Sequence, residues 1–187
     1  RFIANRAMEV VSSEKLNVLC LGSSTNLATA LLRQPEAASK IRCYMMGPGY
    51  DPVRRVWDKK EFNSRNDLDA LDLLLNNENL ELHIMNANIA REMIFTIQEI
   101  RETLQDRNES LKYLLEVFME ASVNSDSVNM SSVALVQAIL NPDLASEKQV
   151  FTPPENVQRK LSVYTRIDSE RMKKDYLKTI EKSYENY

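Results

Sequence analysis

LNVLCLGSSTNLATALLRQPEAASKIRCYMM, residues 16–46, decides the fold. Its two ends, 16–21 (LNVLCL) and 41–46 (IRCYMM), are apolar runs of strand length. Between them, TNLATALLRQP carries apolar residues at helical spacing and stops at Pro35. Strand, helix and strand at these lengths predict a βαβ unit and a parallel sheet, because parallel neighbours need a long crossover. A third strand is expected at 80–85 (LELHIM), behind the helical pattern DLDALDLLLNN. Upstream, RFIANRAMEVVSSE reads as a helix with Phe2, Ile3, Met8, Val10 and Val11 as its apolar positions.

From Ile94 the character changes. Residues 96–106, 109–122 and 132–140 read as helices, the last of them stopped by Asn141-Pro142. Residues 151–159 (FTPPENVQR) read as a polar, proline-bearing loop. A last strand is expected at 161–165 (LSVYT), followed by Asp168 as the cap of a closing helix over 169–184. The expected fold class is α/β: a mainly parallel sheet flanked by helices, with a helical excursion over about 94–140, in a single domain spanning 1–187.

Composition narrows the function classes. The chain has 187 residues, 43% hydrophobic and 27% charged, which is a globular balance with a core of ordinary size. The 24 basic and 27 acidic residues interleave, so no basic stripe tracks a phosphate backbone and nucleic acid is not an expected partner. Apolar runs are short and interrupted by charge, so no membrane span is expected. Cys20 and Cys43 sit inside the strand-like runs and read as buried structural thiols, compatible with a reducing compartment such as cytoplasm or an organelle matrix. The sequence opens on Arg1 within a helix-like pattern, which reads as a fragment, a processed product or one half of a split protein.

Nucleophiles and metal ligands are sparse. His83 is the single histidine and reads as a structural residue within a strand, with no second His or Cys at zinc spacing. Three glycines in total leave no phosphate-cradling loop, and no Gly-x-Ser-x-Gly elbow is present. Ser23-Ser24, at a strand-to-helix turn, reads as helix capping rather than as a nucleophile, since no base accompanies it.

Three segments resemble the inosine/uridine-preferring nucleoside hydrolase family. They are LCLGSSTNLATALLRQPEAASKI at 19–41, MMGPGY at 45–50 with EFNSRNDLDA at 61–70, and SSVALVQAILNP at 131–142. The resemblance covers nearly the whole chain. It implies hydrolysis of the ribose–nucleobase bond by a glycosidase that uses Ca²⁺ to hold the lower ribose hydroxyls and the attacking water. It assigns the Leu21 backbone carbonyl to the metal, Glu61 and Asn63 to the ribose hydroxyls, and Met46 to the pocket wall. Alternation around Phe62 then predicts an extended segment with Glu61 and Asn63 on one side. The residues alone also allow Glu61 and Asn63 as polar loop positions, Met46 as core, and Asp67 as a helix cap.

Departures from the family pattern bear on activity. The family's Asp-x-Asp-x-x-x-Asp-Asp cluster, source of calcium ligands and of the general base, occurs nowhere in the chain. Where active members carry His-Asp at the start of the C-terminal helix, this sequence has Ser131-Ser132. Ser131 therefore stands at the acid position and Ser132 at a metal position, and a neutral hydroxyl is a weak ligand for a hard divalent cation. Arg54 and Arg55 stand near where some members place an Asn. No catalytic residue is assigned, and no calcium is expected in this chain alone.

Two function classes follow. One is a degenerate N-ribohydrolase fold serving as a structural or interaction subunit of a complex. The other is half of a split or processed Ca²⁺-dependent nucleoside hydrolase, completed by an N-terminal half. Both expect another polypeptide as partner and allow a nucleoside or ribose ligand.

Overall fold

The structure is a computed structural model and describes residues 1–11, 13–105, 109–121 and 125–183. In chain order, the elements begin with α1 (Phe2–Met8), β1 (Leu16–Cys20), α2 (Thr25–Arg33) and β2 (Ile41–Gly47). Then come β3 (Gly49–Asp51), β4 (Val56–Asp58), α3 (Phe62–Arg65), α4 (Leu68–Asn76), β5 (Glu81–Asn86) and α5 (Ala87–Ala90). Next are β6 (Ile94–Thr96), α6 (Ile97–Leu104), α7 (Glu109–Ala121), β7 (Ser127–Asn129) and α8 (Ser131–Leu140). The chain closes with β8 (Ala145–Phe151), β9 (Lys160–Ile167) and α9 (Ser169–Ser183). It divides into two compact units, Arg1–Ile89 with Ala145–Arg166, and Ala90–Leu144 with Ile167–Tyr187.

The first unit holds a five-stranded sheet in the order β1-β2-β5-β9-β8. The pairs β1/β2, β2/β5 and β5/β9 are parallel, so the predicted βαβ reading and the mainly parallel sheet are what the structure contains. Its core is built from α2 and α4 packed against one sheet face. Leu27, Leu31, Leu71, Leu74 and Leu75 meet Ile41, Cys43, Leu82, Ile84 and Val163. Such aliphatic burial supplies the main driving force for folding.

Helix boundaries follow local chemistry. Pro35 ends α2 as expected, and a 3-10 turn over Pro35–Lys40 leads into β2. α1 is shorter than the sequence suggested, ending at Met8 before the β-branched pair Val10-Val11. Asp67 caps α4, its Oδ1 accepting the Ala70 N–H at 3.0 Å. Its Oδ2 accepts the Thr25 hydroxyl at 2.5 Å, which fastens the start of α2 to the start of α4. Ser24 occupies the N-cap position of α2, but its hydroxyl makes no capping bond; the Ser23 and Thr25 hydroxyls are instead hydrogen-bonded to each other at 2.9 Å.

The second unit contains α6, α7, α8, α9 and the two-stranded antiparallel β6/β7. α6 starts with a capping box, Thr96 Oγ1 accepting from Glu99 N–H at 3.1 Å while Glu99 accepts from Thr96 N–H at 2.7 Å. Asp168 caps α9 through the Arg171 N–H at 3.1 Å. Phe95 and Tyr176 pack edge to face. The helices expected over 96–106, 109–122 and 169–184 are present, with residues 106, 122 and 184 outside the described set. β6 and β7 were not expected, nor was β8, where 145–150 carried no strand signal and 151 fell within the expected loop.

The sheet face opposite the core carries a charged ladder. Arg42 on β2 pairs with Glu81 on β5, and Lys15 joins at 3.0 Å. His83, only 15% exposed at its side chain, lies between Glu81 (3.2 Å) and Glu147 on β8 (2.7 Å). The register sets the small Ser162 of β9 opposite His83, which leaves room for the ring to reach the edge strand. Burial works against the charged imidazole, but the hydrogen bonds and charges of Glu147 and Glu81 outweigh it and raise its pKa. A pKa raised in the folded state contributes stability that is complete below the unfolded value, about 6.5, and is lost as pH rises through the folded value. The urea midpoint is therefore expected to rise between pH 8 and pH 6, and His83→Gln to flatten that rise. An unchanged slope in the variant would contradict this assignment.

Candidate functional site at the carboxyl ends of the parallel strands

Ligands of open α/β sheets sit beyond the carboxyl ends of the strands. Here the register Cys20↔Met45 places Leu21 and Met46 next to each other at the ends of β1 and β2. Met46 is buried yet stands outside the main apolar cluster, whereas its neighbour Met45 belongs to it. Gly47 closes the strand because a Cβ there would lie 2.5 Å from Ile84 Cγ2. The chain then turns through Pro48 into the β3–β4 hairpin.

Asn86 holds that hairpin. Its side-chain amide, 1% exposed as a residue, donates to the Tyr50 carbonyl at 2.8 Å and accepts the Tyr50 N–H at 2.9 Å. Asn88 N–H also donates to Asn86 Oδ1 at 3.0 Å. Sequence reading missed this residue; the signal was a lone amide closing the otherwise apolar end of LELHIMN.

Glu61 and Asn63 follow the hairpin, and here the expected geometry is corrected. The segment is helical rather than extended, with Glu61 as N-cap of the one-turn α3. Its Oε1 accepts the Asn63 N–H, and its Oε2 accepts both the Ser64 N–H and hydroxyl, all at 2.9 Å. A free N-terminal turn needs acceptors, and a carboxylate satisfies both the N–H groups and the helix dipole there. The Asn63 side-chain amide is half-buried and has no hydrogen-bond partner among the described residues. α3 packs against β2, the strand that carries Met46.

Ser131 and Ser132 form the first turn of α8 in the second unit. The Ser131 hydroxyl donates to Asn129 Oδ1, and the N-cap, Met130, makes no side-chain capping bond.

A family model described as inosine-uridine preferring nucleoside hydrolase matches residues 2–177. The chain belongs to this family. A probable uridine nucleosidase 1 of Oryza sativa subsp. japonica is 24% identical over 104 residues, covering 55% of this chain and 32% of that protein. A purine-preferring ribonucleoside hydrolase from Gardnerella vaginalis superposes with a TM-score of 0.76 at 16% identity, covering 100% of this chain and 66% of that one. An inosine-uridine preferring nucleoside hydrolase from Bacillus anthracis gives 0.74 at 19% identity, covering 97% and 64%. At such identities, the structural likeness is one of fold. The chain spans about a third of the rice relative and just under two thirds of the Bacillus one.

Calcium takes six to eight oxygen ligands, carboxylates prominent among them. Among the described residues no group of three or more His, Cys, Asp or Glu side chains is placed to hold a metal ion. Of the two positions that the resemblance assigned to the metal, Leu21 belongs to the first unit and Ser132 to the second. No described helix is long and apolar enough to cross a membrane.

Proposed function

We propose that this chain is a nucleoside-hydrolase fold whose hydrolytic metal chemistry is gone, retained as a structural or interaction subunit. The observation that carries the reading is Ser131-Ser132 at the first turn of α8, where the family resemblance places His-Asp. A serine hydroxyl there supplies neither the charge a hard cation needs nor a proton for a departing base. Glu61 adds support, because both its carboxylate oxygens are engaged in capping α3. The Asn63 amide keeps its hydrogen-bonding capacity and could hold a ribose hydroxyl without any chemistry following.

A second reading is favoured by the sheet edge. β1 ends the strand order, and Leu19 within it and Leu21 just beyond it are 42% and 41% exposed. Unpaired edges with apolar side chains invite another strand. In that reading the chain is half of a split Ca²⁺-dependent nucleoside hydrolase, and an N-terminal half bearing the Asp cluster completes it. The free thiols Cys20 and Cys43, 4.0 Å apart, are compatible with a reducing compartment in either case.

Ribose release from inosine and uridine in millimolar Ca²⁺ separates the readings. The degenerate subunit gives no release, alone or mixed with a polypeptide bearing Asp-x-Asp-x-x-x-Asp-Asp. Turnover that appears only in the mixture moves the assignment to the split enzyme. Turnover by this chain alone contradicts both.

A further inference from the structure

Within the first unit, the β3–β4 hairpin and the β8–β9 connection enclose a cleft of about 570 Å³. That volume lies within the roughly 300–1,000 Å³ of small-ligand sites. Its walls combine Tyr50, Trp57 and Phe151 with Arg55, Lys148 and Lys160, and no carboxylate among the described residues lines it. The aromatic wall is fixed in place. Tyr50 and Trp57 pack with ring centroids 4.7 Å apart, and the Trp57 indole N–H donates to the Phe151 carbonyl at 3.0 Å. The Phe151 ring is itself open, the residue being 58% exposed, with Lys160 Nζ 5.7 Å from its centroid.

Arg55 is the anomaly that gives the cleft direction. It has φ 57°, the sole positive φ among the described non-glycine residues. That conformation suits Gly or Asn at a hairpin corner and strains an arginine. Nothing in the turn needs the side chain: Asp51 organises it by accepting the Val53 and Arg54 N–H groups at 2.9 and 3.0 Å. Arg54 pairs with Asp51, whereas Arg55 and Lys148 have no ion-pair partner among the described residues. Backbone strain held where a side chain enters a cleft marks a working position. Arg55 and Lys148, without ion-pair partners among the described residues, and Lys160, over the Phe151 ring, call for a multiply charged anion, and the exposed Phe151 ring calls for a planar ring.

We propose that this cleft binds a nucleoside diphosphate, with the phosphates on Arg55, Lys148 and Lys160 and the base against Phe151 and Trp57. The site is independent of the ribose-hydroxyl residues Glu61 and Asn63.

Calorimetric titration of the full chain with ADP at low salt tests it, with adenosine and inorganic pyrophosphate as the two half-ligands. ADP is expected to bind at least about tenfold more tightly than either half, because each half forfeits one set of contacts. Lys148→Glu combined with Lys160→Glu abolishes binding, and Asn63→Ala leaves it unchanged. Arg55→Gly weakens ADP while keeping or raising the melting temperature, a combination that partial unfolding cannot produce. No heat with ADP overturns the proposal, as does pyrophosphate binding as tightly as ADP. Binding lost in Asn63→Ala but kept in the lysine variant also overturns it, and places the ligand with the ribose-hydroxyl residues instead.

Discussion

Arg159→Ala is expected to lower the free energy of unfolding by about 3 kcal/mol, since hydrogen bonds to charged groups contribute roughly 1.5–3 kcal/mol each and water replaces only part of them. The guanidinium donates to three backbone carbonyls: Leu75 at 2.9 Å, Leu80 at 2.8 Å and Leu74 at 3.1 Å. Two of these belong to the last turn of α4, where intrahelical N–H donors run out and the Leu74 carbonyl receives one further N–H, from Asn77 at 3.3 Å. A cation at that end also meets the negative pole of the helix dipole. Burial lowers the Arg159 pKa from the usual arginine value, yet a guanidinium stays protonated at any working pH. Arg159→Lys should recover less than half of the loss, because one ammonium cannot span three divergent carbonyls. Urea denaturation at neutral pH measures both variants; a loss below about 1 kcal/mol in the alanine variant would mean that solvent satisfies the carbonyls unaided.

Asn86→Ala is expected to cost about 2–3 kcal/mol, because it leaves buried backbone groups without partners. The Tyr50 N–H, the Tyr50 carbonyl and the Asn88 N–H all turn to this one amide. Asn88 Nδ2 still reaches the Tyr50 carbonyl at 3.3 Å, so the carbonyl is partly rescued and the two N–H groups are not. The consequence reaches beyond stability, since Tyr50 anchors the hairpin that precedes Glu61 and carries one wall of the basic cleft. Trp57, the one tryptophan of the chain, packs on Tyr50 and reports the event. Its emission in the variant should shift to the red before the main unfolding transition. A single transition with unshifted emission would mean that the hairpin is held by other contacts.

Much of the first unit was legible because period and length agree there. β1, α2, β2, α4 and β5 are strands of five to seven residues or helices of nine, each with one apolar face turned to a shared core. β8 stayed hidden because it is an edge strand: Ser146, Glu147, Lys148 and Gln149 are exposed in succession, so no alternation survives. The β3–β4 hairpin was masked by Arg55, which occupies a corner where glycine would have announced a turn. The Glu61–Asn63 geometry was misjudged for a related reason. Glutamate is not a favoured N-cap, so alternation around Phe62 read as strand while the carboxylate was closing a helical turn. The substitution at Ser131-Ser132 was readable only beside a family pattern, since two serines opening a helix are unremarkable by themselves.

Direct titration tests the proposal that this chain by itself does not hold calcium. A calorimetric Ca²⁺ titration at pH 7, paired with a thermal melt in 1 mM Ca²⁺, is the measurement. The account predicts no saturable heat and no shift in the melting temperature. A one-site isotherm with a Kd near 10 µM would bring about 2.7 kcal/mol of added stability in 1 mM Ca²⁺ and a melt raised by several degrees. That result would contradict the account and return the chain to the metal-dependent hydrolases.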